Sequence, residues 1–214
     1  MDRIDKLCSY LDKCTSFADV GCDHGYCTQY MLKNGLCKNA VISDISAKCL
    51  QKAEALLSDY IKNGKVKPVC CNGLDGISED ISQVLIAGMG GEEIVSIFKN
   101  SFIPRVFVLQ PMKNIRTVRE YLIFNGAEIS VDEPFESGGK FYFVIKGKRC
   151  GNSSIYGGQQ LEFGLNLSGE TTKKYIETEL TKKRAYLERD LKADTRLKIE
   201  EEIRFMEDVL KNES

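Results

Sequence analysis

FADVGCDHGYCTQYMLKNG, residues 17–35, is the stretch that decides the fold class of this chain. Its first six residues, FADVGC, form a short apolar run with a glycine at its end, Gly21, which is typical of a buried β-strand. Residues 25–34 then follow a helical pattern, which Asn34 and Gly35 terminate. A buried strand, a glycine-containing loop and a helix in succession predict the first β-α unit of a parallel sheet.

Strand-like and helix-like segments continue to alternate after this unit. AVISD, KVKPVCC, QVLIAGMGG and RVFVLQP are strand-like, and helices are predicted over residues 2–14, 47–63 and 114–126. Pro68 places the third strand at an edge of the sheet, because proline cannot donate a ladder hydrogen bond. AEISVDEPF and KFYFVIKGK flank a glycine-rich turn and predict a hairpin. We therefore expect an α/β fold with a mainly parallel seven-stranded sheet that contains one antiparallel strand.

The last third of the chain has a different composition. GNSSIYGGQQ, residues 151–160, predicts a polar linker, and residues 170–212 contain no glycine or proline. Two apolar stripes at helical spacing predict a C-terminal α-helical coiled-coil hairpin with a break near Ala193, where Asp194 would cap the second helix. One long helix is the alternative. We divide the chain into a domain over residues 1–150 and a linker with hairpin over residues 151–214.

Composition limits the cellular setting and the partners. The chain has 214 residues and a net charge of −1, so a nucleic-acid partner would have to bind a local basic patch. Nine cysteines in a chain of this length predict buried, reduced thiols rather than a disulfide scaffold. The absence of a long apolar run excludes a transmembrane helix, and the mixed-charge start disfavours secretion. We expect a cytoplasmic monomer without membrane contact.

The glycine-containing loops that follow the strands should meet at one edge of the sheet and form a ligand site. The first loop does not suit a dinucleotide, because Asp23 stands where a pyrophosphate-binding loop has glycine. Repulsion between Asp23 and a phosphate would cost about 4 kcal/mol at an effective dielectric constant of about 20. Cys22, His24 and Cys27 could form half of a metal site, but no second Cys/His pair follows, so no metal is expected.

S-adenosylmethionine suits this loop better, because it is cationic at sulfur and nitrogen and has no phosphate. Asp19 or Asp23 could accept a hydrogen bond from its ammonium group. Asp44, at the end of the second strand, could bridge the ribose hydroxyls. Asn72 and Gly73 could hold the adenine, and the AGMGG segment would then lie beside the methyl group.

The motifs DVGCDHGY, ISDIS, CNGLDGI, VLIAGMGG, VLQPMKN and GAEISVDE resemble the TrmK family of bacterial tRNA adenine-N1 methyltransferases. The resemblance covers nearly the whole chain. It implies a class I, Rossmann-like methyltransferase domain, a coiled-coil hairpin, S-adenosylmethionine as donor, and N1 of adenine 22 in the D-arm of tRNA as acceptor. Met112 and Tyr121 depart from the family pattern, which has asparagine and tryptophan there.

The motifs and the resemblance together give the candidate site residues. Cofactor binding is assigned to Asp19, Gly21, Cys22, Asp23, Gly25, Asp44, Ile45, Asn72, Gly73, Ala87 and Gly88. Candidate catalytic residues are Asp23, His24 and Met89. Asp23 could stabilise the positive charge that passes to the purine, and His24 could orient the base or the methionine carboxylate. A histidine that only bonds the loop backbone is the alternative for His24.

RNA contacts are predicted for Arg116, Arg119, Lys182, Lys183 and Arg184. Residues 170–214 contain twelve acidic and eleven basic residues, so a solvated, salt-bridged helix surface is the alternative for the last three. A methyltransferase with another acceptor and a non-catalytic RNA-binding module remain alternative functions. Because N1 of neutral adenine already has a lone pair, the expected contribution of the enzyme is to position donor and base.

Overall fold

A computed structural model describes residues 2–151 and 153–212. Its centre is a seven-stranded sheet in the order β3-β2-β1-β4-β5-β7-β6. The strands are β1 (Ser16–Val20), β2 (Asn39–Asp44), β3 (Val66–Cys70), β4 (Gln83–Met89), β5 (Val106–Pro111), β6 (Ala127–Ser137) and β7 (Lys140–Arg149). The helices are α1 (Arg3–Cys8), α2 (Tyr26–Lys33), α3 (Ala47–Leu56), α4 (Ser58–Lys62), α5 (Gly91–Asn100), α6 (Ile115–Phe124), α7 (Gly158–Phe163), α8 (Glu170–Leu187) and α9 (Ala193–Asn212).

The predicted topology of the sheet is confirmed. Strands β1 to β5 pair in parallel, while β7 is antiparallel to both of its neighbours, β5 and β6. Strand β3, which contains Pro68, lies at an edge. The pairing of β6 with β7 shifts register between Ile129 and Val131, which is the signature of a β-bulge. The bulge reverses the alternation of β6, so that Asp132 is buried.

Helices cover both faces of the sheet and bury two apolar clusters. One cluster packs α5 and α6 against β4 and β5, with Phe98, Phe107 and Leu122 in its interior. The other packs α1, α2 and α3 against β1 and β2, around Leu7, Phe17 and Met31. A parallel sheet buried on both faces exposes only the ends of its strands. A ligand site in this domain is therefore expected at a strand end rather than on a face.

Two of the predicted helices have different bounds in the structure. The helix predicted over residues 2–14 ends at Cys8, and the one predicted over residues 47–63 is two helices, α3 and α4. Leu57 separates them with φ −101° and ψ 14°, and its side chain is completely buried. Burial of Leu57 in the core thus accompanies the interruption of the helical backbone. The prediction of one continuous helix here was wrong.

The predicted linker is also more ordered than its composition indicated. It contains the first half of α7, and the Tyr156 hydroxyl donates a hydrogen bond to the Asp132 carboxylate over 3.0 Å. Phe163, at the end of α7, is buried among residues of α8 and α9, which include Ile176, Ile199, Ile203 and Met206. The segment therefore packs against both the sheet and the C-terminal helices. Its glycine and serine content predicted only the loop character of its first residues.

The C-terminal helices form a pair that packs through its predicted apolar stripes. Helix α8 ends at Leu187 and α9 begins at Ala193, so the alternative of one long helix is excluded. Asp194 lies inside the first turn of α9 and is not its N-cap. That α8 and α9 supercoil as a coiled coil stays a prediction. The domain boundary at residue 150 also stays a prediction.

Burial of the cysteines and the apolar content of the helices test two further expectations. All nine cysteines are free thiols, but only four of them are buried, namely Cys8, Cys22, Cys27 and Cys37. Cys14, Cys49 and Cys71 are half-buried, and Cys70 and Cys150 are exposed, so the prediction of burial was wrong for these five. Over residues 2–151 and 153–212, none of the helices has both the length and the hydropathy required to cross a bilayer.

Candidate functional site

A cleft of about 520 Å³ lies at the carboxyl ends of β1, β2 and β4. This volume falls in the range of sites that bind small molecules and cofactors. Every predicted cofactor-binding or catalytic residue except Gly25 lines it: Asp19, Gly21, Cys22, Asp23, His24, Asp44, Ile45, Asn72, Gly73, Ala87, Gly88 and Met89. The parallel sheet brings these residues together, because the carboxyl ends of adjacent parallel strands lie at the same edge.

The first loop is held rigidly against β2 and β4. The backbone N–H groups of Gly21 and Cys22 both donate to the Ser43 carbonyl, over 2.8 and 3.0 Å. Gly21 has φ +71°, and a Cβ at this position would overlap the terminal methyl of Met89. The left-handed backbone favours glycine here, whereas the Met89 methyl is the end of a flexible side chain and imposes no such requirement.

Gly25 is the one predicted cofactor-binding residue that does not line the cleft, although its neighbours His24 and Tyr26 do. A Cβ on it would lie 3.0 Å from Leu57 and 3.1 Å from Ala53. Its φ of +73° also turns the chain into α2. Gly25 therefore allows the start of α2 to pack closely on α3 and Leu57, and its assignment to cofactor binding stays a prediction.

Asp19 is the buried carboxylic acid of the cleft. Its residue is 5% exposed, and the Thr28 hydroxyl donates to its Oδ2 over 2.9 Å. The pKa of Asp19 is raised to about 7, chiefly by burial and to a smaller extent by the negative charge of Asp44, while the hydrogen bonds from Thr28 act in the opposite direction. A cationic ligand beside this carboxyl would favour its ionised form.

Asp44 connects the first two loops. Its Oδ1 accepts a hydrogen bond from the Ser46 N–H over 2.8 Å, and its Oδ2 accepts one from the Asp23 N–H over 3.4 Å. Ser46 in turn caps α3 through the Cys49 N–H. These contacts fix the Asp44 carboxylate at the end of β2, where a ligand with a vicinal diol would meet it.

Asp23 and His24 lie at the outer edge of the cleft. The Asp23 carboxylate accepts from Lys52 Nζ over 3.0 Å and is 58% exposed, and His24 Nε2 lies 3.7 Å from its other oxygen. The His24 ring stacks on Tyr26, with ring centroids 5.4 Å apart. Lys52 partly neutralises the charge that was predicted to stabilise the purine. The side chains next to His24 are therefore those of Tyr26 and Asp23.

Two loops beside the cleft are joined to each other. The Met112 N–H donates to the Met89 carbonyl over 2.8 Å, and the Gly91 N–H donates to the Lys113 carbonyl over 2.9 Å. A Cβ on Gly91 would overlap the backbone carbonyl of Asn114. The segments after β4 and β5 are therefore joined to each other, and Met112, bonded to the cleft-lining Met89, is 49% exposed.

The structure also adds residues that the sequence did not indicate. Arg3, Tyr26, Glu93 and Ile97 line the cleft together with the predicted set. Glu93 and Ile97 are one helical turn apart on α5, directly after the AGMGG segment, and this spacing could have revealed them. Arg3 precedes the first strand by thirteen residues, and no local sequence signal connects it with the cleft.

Arg119 is the clearest correction among the predicted RNA contacts. Its residue is completely buried, and its guanidinium forms two 2.7 Å hydrogen bonds with the Asp132 carboxylate. Its Nη1 also donates to the carbonyls of Leu161 and Glu162, over 3.0 and 2.8 Å. A buried, fully bonded guanidinium cannot contact a phosphate, so Arg119 is a structural residue that joins α6, β6 and α7.

The other predicted RNA-contacting residues are exposed, except for the half-buried Lys183, and all are paired with carboxylates. Lys182 contacts Glu179, Lys183 contacts Glu202, and Arg184 contacts Glu207. Arg116 contacts Glu120 over 2.8 Å and Glu162 over 3.5 Å. These pairs favour the alternative of a salt-bridged surface on α8 and α9. Within the described residues, no group of three or more His, Cys, Asp and Glu side chains could hold a metal ion.

Residues 1–145 match the model of a family described as a methyltransferase domain. This match covers more than half of the 214 residues. The chain belongs to this methyltransferase-domain family. The glycine loop and the acidic cleft at the carboxyl ends of its strands thus have the location expected of a methyltransferase site.

Two curated relatives and a solved structure are similar to this methyltransferase-domain chain. A Mycoplasma pneumoniae protein named as a candidate tRNA methyltransferase is 34% identical over 132 residues, which is 61% of this chain and 62% of that protein. The Bacillus subtilis tRNA (adenine(22)-N(1))-methyltransferase is 24% identical over 168 residues, 76% of this chain and 71% of that one. The chain thus spans about three fifths of the length of the Mycoplasma relative.

The solved structure is a Streptococcus pneumoniae protein described as a candidate tRNA (m1A22) methyltransferase, in complex with S-adenosyl-L-methionine. It superposes with a TM-score of 0.86 at 24% identity, covering 98% of this chain and 100% of that chain. Similarity over this length shows that the two chains share the methyltransferase fold, including the C-terminal helices.

Proposed function

We propose that this chain is an S-adenosylmethionine-dependent tRNA methyltransferase that modifies N1 of adenine 22. The observation that carries the proposal is the cleft itself, where Asp19 and Asp44 face a glycine loop at the carboxyl ends of β1 and β2. A buried and a half-buried carboxyl group beside a close backbone favour a cationic nucleoside over a phosphate ester. The names of the Mycoplasma and Bacillus relatives and the ligand of the Streptococcus structure support it.

The residues of the cleft fit the donor along its length. Asn72 and Gly73 would hold the adenine, Asp44 the ribose, and Asp19 the ammonium group. Gly88, which has no side chain and no atom within 3.9 Å of its Cβ position, would leave the backbone accessible near the sulfur. When bound, S-adenosylmethionine supplies a methyl group on a cationic sulfonium. The cleft of about 520 Å³ is large enough for a ligand of this size.

The methyl transfer requires this chain mainly to position the donor and the adenine. Adenine N1 needs no base, so the residues at the cleft edge must hold the flipped adenine in line with the methyl group. Met89 lines the cleft at the end of β4, and His24 and Tyr26, which also line it, form a stacked pair. Base–aromatic stacking is a common way to hold an unpaired base.

Two measurements test the function directly. Calorimetry should show stoichiometric binding of S-adenosylmethionine. Mass spectrometry of nucleosides from unmodified bacterial tRNA should then show N1-methyladenosine after incubation, and none from a tRNA with guanosine at position 22. Methylation of a different nucleoside would reject the assigned acceptor, while tRNA binding without donor binding would favour a non-catalytic RNA-binding module.

The role of Asp23 needs a separate comparison of variants. If Asp23 stabilises the charge on the purine, Asp23→Ala should lower the rate of methyl transfer more than it lowers donor affinity. Lys52→Ala is the matched control, because it removes the partner of Asp23 and leaves the carboxylate in place. Equal losses of rate and affinity in Asp23→Ala would show that the residue has no separate chemical role.

Three further assignments belong to the proposal: a second structural unit, the cellular location and the oligomeric state. Residues 151–214 are proposed as a second unit, supported by the separate apolar cluster that Phe163 forms with α8 and α9. A tRNA substrate places the protein in the cytoplasm. A monomer stays our prediction, and size-exclusion chromatography with light scattering would test it.

A further inference from the structure

The connector between β5 and α6 is exposed, yet it is bonded to the segment that follows β4. This connector consists of residues 112–114, and all three of them are exposed. The Met112 N–H donates to the carbonyl of Met89, a residue that lines the cleft. The Lys113 carbonyl accepts a hydrogen bond from the Gly91 N–H. The connector therefore has a defined position beside the cleft-lining end of β4.

Close packing imposes the conformation of this connector. Asn114 has φ +54°, and a residue other than glycine keeps this left-handed conformation only where its surroundings impose it. A Cβ on the buried Gly91 would lie 2.3 Å from the Asn114 carbonyl oxygen. The buried Gln110 side chain donates from Nε2 to the Met112 sulfur over 3.3 Å. The connector is thus a preformed surface, and a partner that binds it does not have to order the backbone first.

The Lys113 side chain lies along the backbone that follows β4. Its Cε and Cγ lie 3.1 and 3.8 Å from the position that a Cβ on Gly90 would take. Gly90 directly follows Met89, which lines the cleft, and the Lys113 ammonium is one bond beyond Cε. Within residues 2–151 and 153–212, none of the carboxylates forms an ion pair with this ammonium. Lys113 therefore presents an uncompensated positive charge next to the cleft.

The neighbouring exposed cations are already paired. Lys52 contacts Asp23 over 3.0 Å, and Arg116, one helical turn after Lys113, contacts Glu120 over 2.8 Å. An anion that approached either of these residues would have to compete with a carboxylate that is held in place. Lys113 has no such competitor among the described residues.

The charges of the cleft determine where an RNA phosphate can lie. One arginine, Arg3, lines the cleft together with four carboxylic acids, which are Asp19, Asp23, Asp44 and Glu93. These acids repel a phosphate, so a target adenosine must enter with its base while its phosphates stay outside. The net charge of −1 gives the protein no long-range attraction for RNA. A phosphate beside the cleft therefore needs a local cation.

We propose that Lys113 binds a backbone phosphate of the tRNA strand that carries the target adenosine. Its ammonium holds the phosphate beside Gly90, outside the acids, while the base enters the cleft past Met89. A lysine is a compact cation with three donors, so it binds phosphate without reading the base. Lys113 thus contributes RNA affinity rather than sequence recognition. The assignment rests on the proposed function.

The first test measures binding of unmodified tRNA to the protein saturated with S-adenosylhomocysteine, so that no methyl transfer occurs. Lys113→Met should weaken tRNA binding by roughly 3- to 10-fold. The slope of log Kd against log salt concentration should fall by about one unit, as expected for one lost phosphate contact. Lys113→Arg should keep most of the affinity. Because Lys113 is exposed and outside the cleft lining, affinity for S-adenosylhomocysteine and thermal stability should not change.

A second test asks whether the contact is direct. The phosphates next to adenine 22 are replaced, one at a time, by uncharged methylphosphonates. At one of these positions the unaltered protein should lose affinity by the same factor as Lys113→Met loses with ordinary tRNA. Lys113→Met should lose nothing further at that position, because the two changes remove the same interaction.

Lys38→Met is the matched control. Lys38 is also exposed and forms no ion pair within the described residues, but it precedes β2 and so lies at the amino ends of the strands, opposite the cleft. This variant has the same change of net charge and should leave the tRNA affinity and the salt slope unchanged.

Four outcomes would overturn the proposal. They are an unchanged tRNA affinity and salt slope in Lys113→Met, an equal loss in Lys38→Met, losses that add at every methylphosphonate position, and a loss confined to S-adenosylhomocysteine binding. Failure of the unaltered protein to methylate adenine 22 would reject the proposed function instead. That failure is distinguishable, because it is seen without any variant.

Discussion

Replacement of Asp19 by asparagine should make the protein more stable, by an amount that depends on pH. The ordinary pKa of this group is 3.8, and burial in the folded protein raises it to about 7. Between these values the folded state keeps a proton that the unfolded state has released. Stability therefore falls as the pH rises through this window, and the loss is constant above about pH 7.

The size of the effect follows from the two pKa values. A difference of about three units corresponds to about 4 kcal/mol of unfolding free energy at alkaline pH, at 1.36 kcal/mol per unit. At about pH 5 the same relation gives a loss of about 2 kcal/mol of unfolding free energy from the ionisation of Asp19. Asparagine has nearly the same shape, can accept the Thr28 hydrogen bond and does not ionise. The unfolding free energy of Asp19→Asn should thus exceed that of the unaltered protein by an amount that grows by about 2 to 3 kcal/mol between about pH 5 and pH 8.

Urea denaturation of both proteins across this pH range measures the difference directly. Asp59→Asn is the control, because its carboxylate on α4 is 90% exposed and should show no such trend. An advantage of Asp19→Asn that stays constant from about pH 5 to pH 8 would refute the reasoning, because it would show that Asp19 titrates normally when folded. The stabilised variant should also bind S-adenosylmethionine less tightly, since it has lost the negative charge.

Three further substitutions have expected outcomes. Arg119→Met leaves the Asp132 carboxylate buried without its partner and should cost about 3 to 5 kcal/mol in urea unfolding, whereas a loss below 1 kcal/mol would contradict the buried pair. Gly73→Ala forces a side chain into φ +56° and against Ile97, so it should cost about 1 to 2 kcal/mol and weaken 5′-methylthioadenosine binding in calorimetry. Asp44→Ala should weaken the same ligand about tenfold by removing the ribose acceptor, and unchanged affinity would reject that role.

The location of the cleft could be predicted because it depends on local patterns. Each loop that lines it directly follows a strand, and parallel strands bring their carboxyl ends to one edge. Asp19, Asp44 and Asn72 were found in this way, although they are far apart in the chain. Arg3 was missed because it reaches the cleft from a helix that precedes β1, and only the packing of Leu7 in the core places that helix there.

Arg119 was assigned wrongly for a different reason. In α6 it lies between Val118 and Leu122, which are both buried, so its position on the helix already belongs to the apolar stripe. Its partner, Asp132, should face solvent if β6 alternated regularly. The β-bulge near Ile129 turns Asp132 inward instead. A single sequence carries no reliable signal for a β-bulge. Because the bulge is what turns Asp132 inward, the buried ion pair could not be predicted from the sequence.

The bonds of Arg119 also bear on how the chain can be divided. Two of its acceptors, the carbonyls of Leu161 and Glu162, belong to α7, and Tyr156 bonds the same Asp132 carboxylate from the preceding segment. A protein cut at residue 150 would keep the ion pair and lose all three of these bonds. We therefore expect the sheet and the C-terminal helices to melt in a single cooperative transition. Truncated versions intended for crystallisation or inhibitor screening should keep at least residues 151–163.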